Sequence, residues 1–423
     1  MDKLLIIADD FTGALDTGIQ FTKMGVRART VTDYAYDFSS VRPDDGLLSV
    51  NTDSRPCGPQ EAYDRVYHLC HNAFKAGFEF IYKKTDSGLR GNLGMELKAV
   101  MDACRLNVMA FIPALPSLNR ITRDGIAYVN GVPVTESVFG KDPFEPVKHD
   151  AVADIIHEQT DLNVVVVPRD GYDTVEWAYN DQTILVFDAE TEEDLFHIAD
   201  VLKAAGRITV TAGCAGFAMA YEHMLDFEKG RPHLMQESDG LLALCGSVNQ
   251  ITVNQLAYAE AHGFSRRHLT NEQKAGRQLL RGEEQRDYYD AFYSQITATD
   301  KFLVDTLDIP GEEGVLDYIS RHGMTLNDVR FRIADSLGWL AREMVERGLN
   351  YTISMTGGDT LVGFMRAIGR TELVPVCEIG KGAVLSILRW NGKRIQVISK
   401  SGGFGEEDIF EQMYETVMNY KED

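Results

Sequence analysis

The sequence predicts an α/β protein of two domains, each a mostly parallel sheet flanked by helices. Three observations carry that expectation. Short apolar runs such as "LLIIA" (Leu4–Ala8) and "VMAFIPA" (Val108–Ala114) alternate with stretches of helical spacing, and strands separated by helices imply βαβ units. The chain has 423 residues, more than one core usually serves. The alternation also breaks once, in a charged stretch containing Gly and Pro, and then restarts.

Taken in order, Leu4–Ala8 reads as a buried strand and Gly13–Met24 as a helix closed by Gly25. Gly46–Val50 and Phe78–Lys84 are the next strands. In "LGMELKAVMDAC", Leu93, Leu97, Val100 and Met101 share one helical face. Val108–Ala114, Val164–Val167, Thr183–Ala189 and Ile208–Gly213 continue the strands. "DFEKGRPHLMQESDG" (Asp226–Gly240) lacks periodicity and takes the domain boundary, giving domains 1–230 and 240–423. Beyond it, Leu241–Cys245 leads to a helix near Thr252–His262. Phe302–Leu307 is a strand, Asn327–Arg347 a long helix, and Tyr351–Met355 a strand before another helix. Ala383–Trp390 and Arg394–Lys400, joined by Asn391-Gly392, read as a hairpin.

The formal charge is −22 and the apolar fraction 44%. That balance argues against nucleic acid or an anionic membrane as the main partner. An anionic ligand would need a local cluster of Lys, Arg or backbone N–H groups. Six cysteines are scattered without a C-x-x-C pair, the pattern of reduced core thiols. The apolar run near the N-terminus is too short for a signal peptide, and no run approaches the roughly 20 apolar residues of a membrane helix. A cytoplasmic protein is expected.

Three loops of one type lie in the C-terminal half: "CGSVN" (Cys245–Asn249), "TGGDT" (Thr356–Thr360) and "SGGFG" (Ser401–Gly405). Each follows a short apolar strand and is expected to enter a helix. Such a turn exposes unpaired N–H groups and the helix dipole, which suit a phosphate. Glycine lets backbone approach the ligand closely. Any one loop taken alone reads first as a plain turn, since lone glycine motifs are weak. Together, at the ends of strands sharing an edge, they read as a polyphosphate site with Lys400 on one wall. The residues are Ser247, Thr356, Gly357, Gly358, Asp359, Thr360, Lys400, Gly402 and Gly403. Neither a Walker A nor a G-x-G-x-x-G motif is present.

The N-terminal half carries a different constellation. "ADDFTGALDTG" puts Asp9 and Asp10 at the end of the first strand, with Thr12 as the helix N-cap. These carboxylates can accept polyol hydroxyls, hold Mg2+ or act as a general base; one of them can instead simply cap the helix. "YKKTDSGLRGNLGMEL" supplies Lys83, Lys84 and Arg90 for an anion, and Asp86, Ser87 and Asn92 for hydroxyls. Arg90 can grip a carboxylate with two parallel hydrogen bonds. "NTDSRP" adds Asp53, Ser54 and Arg55, and "SLNRITRDG" reads as a loop with Arg120 and Arg123. Singly, each charge is equally well a solvated face or surface ion pair. Collectively they describe a pocket for a small hydroxy acid.

"ADDFTGALDTG", "YKKTDSGLRGN", "CGS", "TGGDT" and "KSGGFG" resemble, in that order and across essentially the whole chain, the four-carbon acid sugar kinases. The resemblance implies a substrate-binding N-terminal domain, a nucleotide-binding C-terminal domain and an active-site cleft between them. It implies phosphorylation of D-threonate, D-erythronate or a 3-oxo-tetronate by ATP. By motif it places the acid at Asp10, Thr12, Asp86 and Arg90, and ATP at Ser247, Gly357, Gly358 and Gly402. Two positions depart: Gly88 stands where members usually carry Thr or Ser, and Cys214 where Ser is frequent. "LDTG" is similar to the threonate/erythronate branch.

The expectation is therefore an ATP- and Mg2+-dependent sugar-acid kinase, with room for a homodimer. Asp10 is the first candidate base and Asp359 its rival, the latter by analogy with ribokinase-like kinases. The Mg2+ ligands are not assigned. A metal-dependent sugar-acid aldolase or isomerase would leave the glycine loops unused. A non-catalytic nucleotide sensor would leave the N-terminal constellation unexplained.

Overall fold

The computed structural model describes residues 3–23, 25–42, 45–142, 145–227, 234–276 and 285–421. The chain forms two compact units, Met1–Pro232 and His233–Asp423. Part of the expected boundary stretch, residues 228–233, lies outside the described residues, as does Met24.

The N-terminal unit is built on strands β1 (Leu4–Ala8), β2 (Ala28–Val31), β3 (Leu47–Asn51), β4 (Phe80–Lys84), β5 (Val108–Ile112), β9 (Asn163–Val167), β10 (Thr183–Phe187) and β11 (Val210–Gly213). They run parallel in the order β2-β3-β1-β4-β11-β5-β10-β9. Central strands are buried along their whole length, as in β1 and β5, because helices cover both faces of a parallel sheet. That is why they read as unbroken apolar runs. Helix α1 (Phe11–Lys23) follows β1, α2 (Pro59–Lys75) follows β3, and α3 (Leu93–Cys104) follows β4; α4 (Val152–His157), α5 (Glu192–Ala204) and α6 (Ala215–Glu222) come later in the unit. Strand order reverses around β1, the arrangement that opens a ligand crevice at the strand C-terminal ends.

A small antiparallel sheet, β6 (Arg120–Arg123), β7 (Ile126–Val129) and β8 (Val132–Pro133), stands apart from this one. The expected loop at Ser117–Gly125 is thus partly strand. Asp124 and Gly125 turn it, both at positive φ (52° and 73°), the type I′ geometry that Asp-Gly favours. Pleating sends Arg120 and Arg123 to opposite faces: Arg120 reaches the Ser87 hydroxyl and Arg123 pairs with Glu190.

The C-terminal unit uses β12 (Leu241–Cys245), β13 (Ser265–His268), β14 (Lys301–Asp305), β15 (Thr352–Thr356), β16 (Glu372–Gly380), β17 (Ala383–Trp390) and β18 (Lys393–Lys400). The order is β13-β14-β12-β15-β18-β17-β16. All pairs are parallel except those of β17 with β18 and β16. The expected hairpin is β17–β18, with Asn391 and Gly392 at φ 50° and 78°. Its helices are α7 (Gln250–Ala261), α8 (Asn271–Ala275), α9 (Arg286–Ile296), α10 (Val315–Arg321), α11 (Leu326–Glu346), α12 (Gly358–Ala367) and α13 (Ile409–Asn419). Among the described residues no helix is long and apolar enough to cross a membrane. All six cysteines are free thiols, with Cys70, Cys214 and Cys245 buried.

Candidate active site

The C-terminal unit gathers its three glycine loops by strand register alone. Cys245 pairs with Thr356, and Thr356 with Lys400, on three adjacent parallel strands. The chain therefore leaves β12, β15 and β18 side by side. Hydrogen bonds tie the exits together: Gly246 N–H to Thr356 O (3.2 Å) and Gly357 N–H to Lys400 O (2.8 Å). The Thr252 hydroxyl, from the first turn of α7, donates to Gly402 O at 2.7 Å. A Cβ at Gly402 would stand 2.4 Å from Ser247 Oγ, so this glycine is what lets the first and third loops meet. Gly357 caps α12 at φ 100°, a conformation other residues rarely adopt.

Lys400 lies almost fully buried at this junction. Its ammonium donates to Ser401 O at 3.0 Å, and among the described residues it meets no carboxylate within ion-pair distance. Burial pulls its pKa down to about 8, with the Cys245 thiol as a smaller opposing influence. A buried cation that meets no carboxylate among the described residues, framed by glycine loops, has the chemistry to receive an anion. Asp359, in the first turn of α12, is paired with Arg330 of α11 at 2.5 Å and is nearly half exposed.

The N-terminal unit gathers its charges in the same way. Ala8 pairs with Asn51 and with Lys84, and Lys84 with Gly213. Arg55 is the hub. Its guanidinium lies 2.8 Å from Asp9, 3.1 Å from Asp10 and 3.8 Å from Asp86. Burial opposes the charge on Asp9, but Arg55, then Lys84 and Lys83, outweigh it and hold the carboxyl below its usual range. Asp86 is likewise buried, and Arg90 and Arg55 hold it well below that range. Asp9 Oδ1 is buried with no hydrogen-bond partner, which a ligand hydroxyl would satisfy. Lys84 Nζ sits over Gly13, 2.6 Å from where a Cβ would stand. Among the described residues it has no ion-pair or hydrogen-bond partner.

Two family models match the chain: a sugar-binding N-terminal domain over residues 4–221 and a nucleotide-binding C-terminal domain over residues 242–410. The chain belongs to the four-carbon acid sugar kinase family. It is a sugar-acid kinase, a phosphotransferase that uses ATP. It is 29% identical to a D-threonate kinase of Salmonella typhimurium, with 96% of each chain covered. It is 28% identical to a D-erythronate kinase of Heliobacterium modesticaldum, over 96% of this chain and 95% of that one. A solved Salmonella typhimurium LT2 structure, described as a putative tRNA synthase, superposes with a TM-score of 0.79 at 21% identity. It covers 98% of this chain and 99% of its own, and shares the fold.

Several site residues of the kinase differ from the sequence expectation. Asp10, not Thr12, caps α1: its Oδ1 accepts the Gly13 N–H at 2.9 Å, and the helix already begins at Phe11. The fork of Arg90 closes on Asp86 (2.7 and 3.2 Å) and its remaining nitrogen reaches Asp142 (2.9 Å). The bidentate partner expected from the substrate is thus an internal carboxylate. Asn92 spends its amide on the carbonyls of Ser54 and Cys57 (2.9 Å each), so it braces the Arg55 loop. Asp53 is exposed at φ 47°, and its carbonyl is taken by Arg65. Lys83 points into the core and pairs with buried Glu96 at 2.8 Å. The third glycine loop does not enter a helix directly, since α13 starts only at Ile409.

Sequence reasoning missed Arg330, Thr252 and Glu96. Each lies in the first two turns of a helix and serves a group on another element: Arg330 meets Asp359, Thr252 meets the Gly402 carbonyl and Glu96 meets Lys83.

Proposed function

We propose that the kinase transfers the γ-phosphoryl group of ATP to a hydroxyl of a four-carbon acid of the D-threonate or D-erythronate type. The observation that carries this reading is the register that delivers three glycine loops and buried Lys400 to one edge. Ser247, Thr356, Gly357, Gly358, Thr360, Gly402 and Gly403 would cradle the phosphates, and Lys400 would neutralise them. Phosphoryl transfer needs alignment and charge neutralisation more than covalent help.

The acid belongs to the N-terminal unit in this reading. Lys84 takes its carboxylate, because Arg55 and Arg90 are already engaged by aspartates. Asp9 Oδ1 accepts a hydroxyl, and Asp10, about one-third exposed, receives the proton of the attacking one. Among the described residues no three His, Cys, Asp or Glu side chains cluster as a metal cage. That fits Mg2+ held mainly by ATP, which needs only one or two protein carboxylates. Asp359 would be one, and the ion would offset charge on the transferring group. The enzyme would act in the cytoplasm on dissolved metabolites.

The direct test is ADP release across a panel of four-carbon acids. Acid-dependent release with D-threonate or D-erythronate is expected, and its absence from every acid would overturn the reading. Two narrower outcomes follow. Lys84→Met is expected to raise the KM for the acid at least tenfold with the KM for ATP unchanged, and Arg90→Lys to raise it less. The reverse ranking would return the carboxylate to Arg90. Gly402→Ala is expected to weaken ATP binding more than tenfold, about 1.4 kcal/mol, by forcing the first and third loops apart. Calorimetry giving wild-type affinity in a folded variant would remove these loops from the phosphate site.

A further inference from the structure

The N-terminal unit holds a buried charge pair that the proposed reaction does not use. Lys83 and Lys84 end β4, and pleating sends them to opposite faces of the sheet. Lys84 stands over Gly13 of α1. Lys83 turns to α3 and pairs with Glu96 at 2.8 Å, both side chains being buried. Glu96 does more than neutralise it. Its other oxygen, Oε1, accepts the Ser54 hydroxyl, and Lys83 Nζ also donates to the Lys84 carbonyl at 2.7 Å. The Ser54 hydroxyl meets that of Thr52 at 2.6 Å, and Thr52 reaches the Ala8 carbonyl at 2.8 Å. The N–H groups of Ser54 and Arg55 donate to the Asp9 carbonyl, at 3.2 and 3.4 Å. Glu96 is thereby tied, through Ser54 and Lys83, to the ends of β1, β3 and β4. Those are the three exits that carry Asp9 and Asp10, Arg55 and Lys84.

We infer that Glu96 is a positioning residue for the acid: through Ser54 it sets the Arg55 guanidinium against Asp9 and Asp10. Arg55 follows Ser54 directly, and its guanidinium divides between those two carboxylates at 2.8 and 3.1 Å. Asn92, one turn before Glu96 on the same face of α3, grips the carbonyl side of the loop at Ser54 and Cys57. Glu96 grips its hydroxyl side. Stability alone does not call for the pair, because apolar residues of similar volume often replace a buried ion pair without loss. What they cannot replace is an oxygen aimed at Ser54. A shift of about 1 Å in a catalytic group can cost about 100-fold in rate, so a loose Arg55 loop is expressed in turnover of the acid. The inference rests on the reading that the N-terminal unit holds the hydroxy acid.

The test compares two variants of equal charge, Lys83→Met/Glu96→Gln and Lys83→Met/Glu96→Leu. Both remove the ion pair, so neither leaves a charge buried alone. Only the first keeps an oxygen for Ser54. With both folded, as urea midpoints check, kcat/KM for the preferred four-carbon acid should be about tenfold or more lower in the second than in the first. The KM for ATP should be the same in both. Ser54→Ala, which leaves the pair intact, should lower kcat/KM for the acid about tenfold or more in the wild type. Added to Lys83→Met/Glu96→Leu, it should change kcat/KM less than about twofold, because the tie is already gone. If that double variant does not fold, Ser54→Ala in the wild type carries the test. Equal kcat/KM in the two double variants, or wild-type kinetics in Ser54→Ala, leaves Glu96 a purely structural role and overturns the inference alone. A wild type that binds ATP yet turns over no four-carbon acid overturns the substrate reading, and the inference with it.

Discussion

Asp10→Asn is expected to lower kcat by about 10²-fold or more, the low end for acid–base catalysis, with ATP affinity retained. The carboxylate is partly exposed, while one oxygen accepts the Gly13 N–H and the other faces Arg55. An asparagine can keep the cap through its amide oxygen but cannot take a proton. Asp359→Asn should act differently. It breaks the pair with Arg330 and removes a proposed Mg2+ ligand, so ATP binding should weaken first. Single-turnover rates and calorimetry on both variants separate the roles. Turnover lost with ATP binding intact only in the Asp359 variant would move the base into the C-terminal unit and leave Asp10 to position the acid.

The second large effect is on stability. Arg55→Met should destabilise the N-terminal unit by about 3–5 kcal/mol, the cost of leaving buried charge unpaired. In the wild type, Asp9 and Asp86 have folded pKa values depressed below the usual carboxylate range. Such groups contribute stability that is complete above the unfolded value of about 3.9 and is lost as pH falls through the folded value. In the variant the largest counter-charge on Asp9 is gone and its burial remains. Its folded pKa then rises above the unfolded one, and the sign reverses. The penalty should be greatest near neutral pH and shrink as pH falls toward 4. Urea midpoints for both proteins at neutral and mildly acid pH check this, and a penalty independent of pH would exclude Arg55 as the charge that holds Asp9 ionised.

The sheet strands with unbroken apolar runs were legible in the sequence because burial on both faces leaves no polar position. β13 was not: "SRRH" is polar, and its side chains reach across to Asp305 and Glu260. β16 was obscured by Pro375, which the strand accommodates where its register shifts. In the candidate site, the motifs located the strand ends where charges and glycines collect. They could not show that Arg90 is spent on Asp86 or that Asn92 braces the Arg55 loop. Sequence names the hydrogen-bonding capacity of a side chain, and only packing decides which partner uses it. Thr12 illustrates the same limit at one turn of helix: Asp10 and Thr12 are both good caps, and the start of α1 at Phe11 chose between them.

The third glycine loop reaches its place by a hairpin rather than by a helical crossover, and this gives a surface turn influence over distant chemistry. Strand side chains alternate faces, so a slip of one residue inverts every one of them. Asn391-Gly392 fixes the pairing of Trp390 with Lys393, and that pairing propagates to Ala383 opposite Lys400. An inserted or deleted residue at this turn, roughly 24 Å away at the usual rise per residue, would rotate the Lys400 ammonium to the opposite side of the sheet. A lesion there would present as a nucleotide-binding defect, although the turn lies at the far end of the hairpin from Lys400.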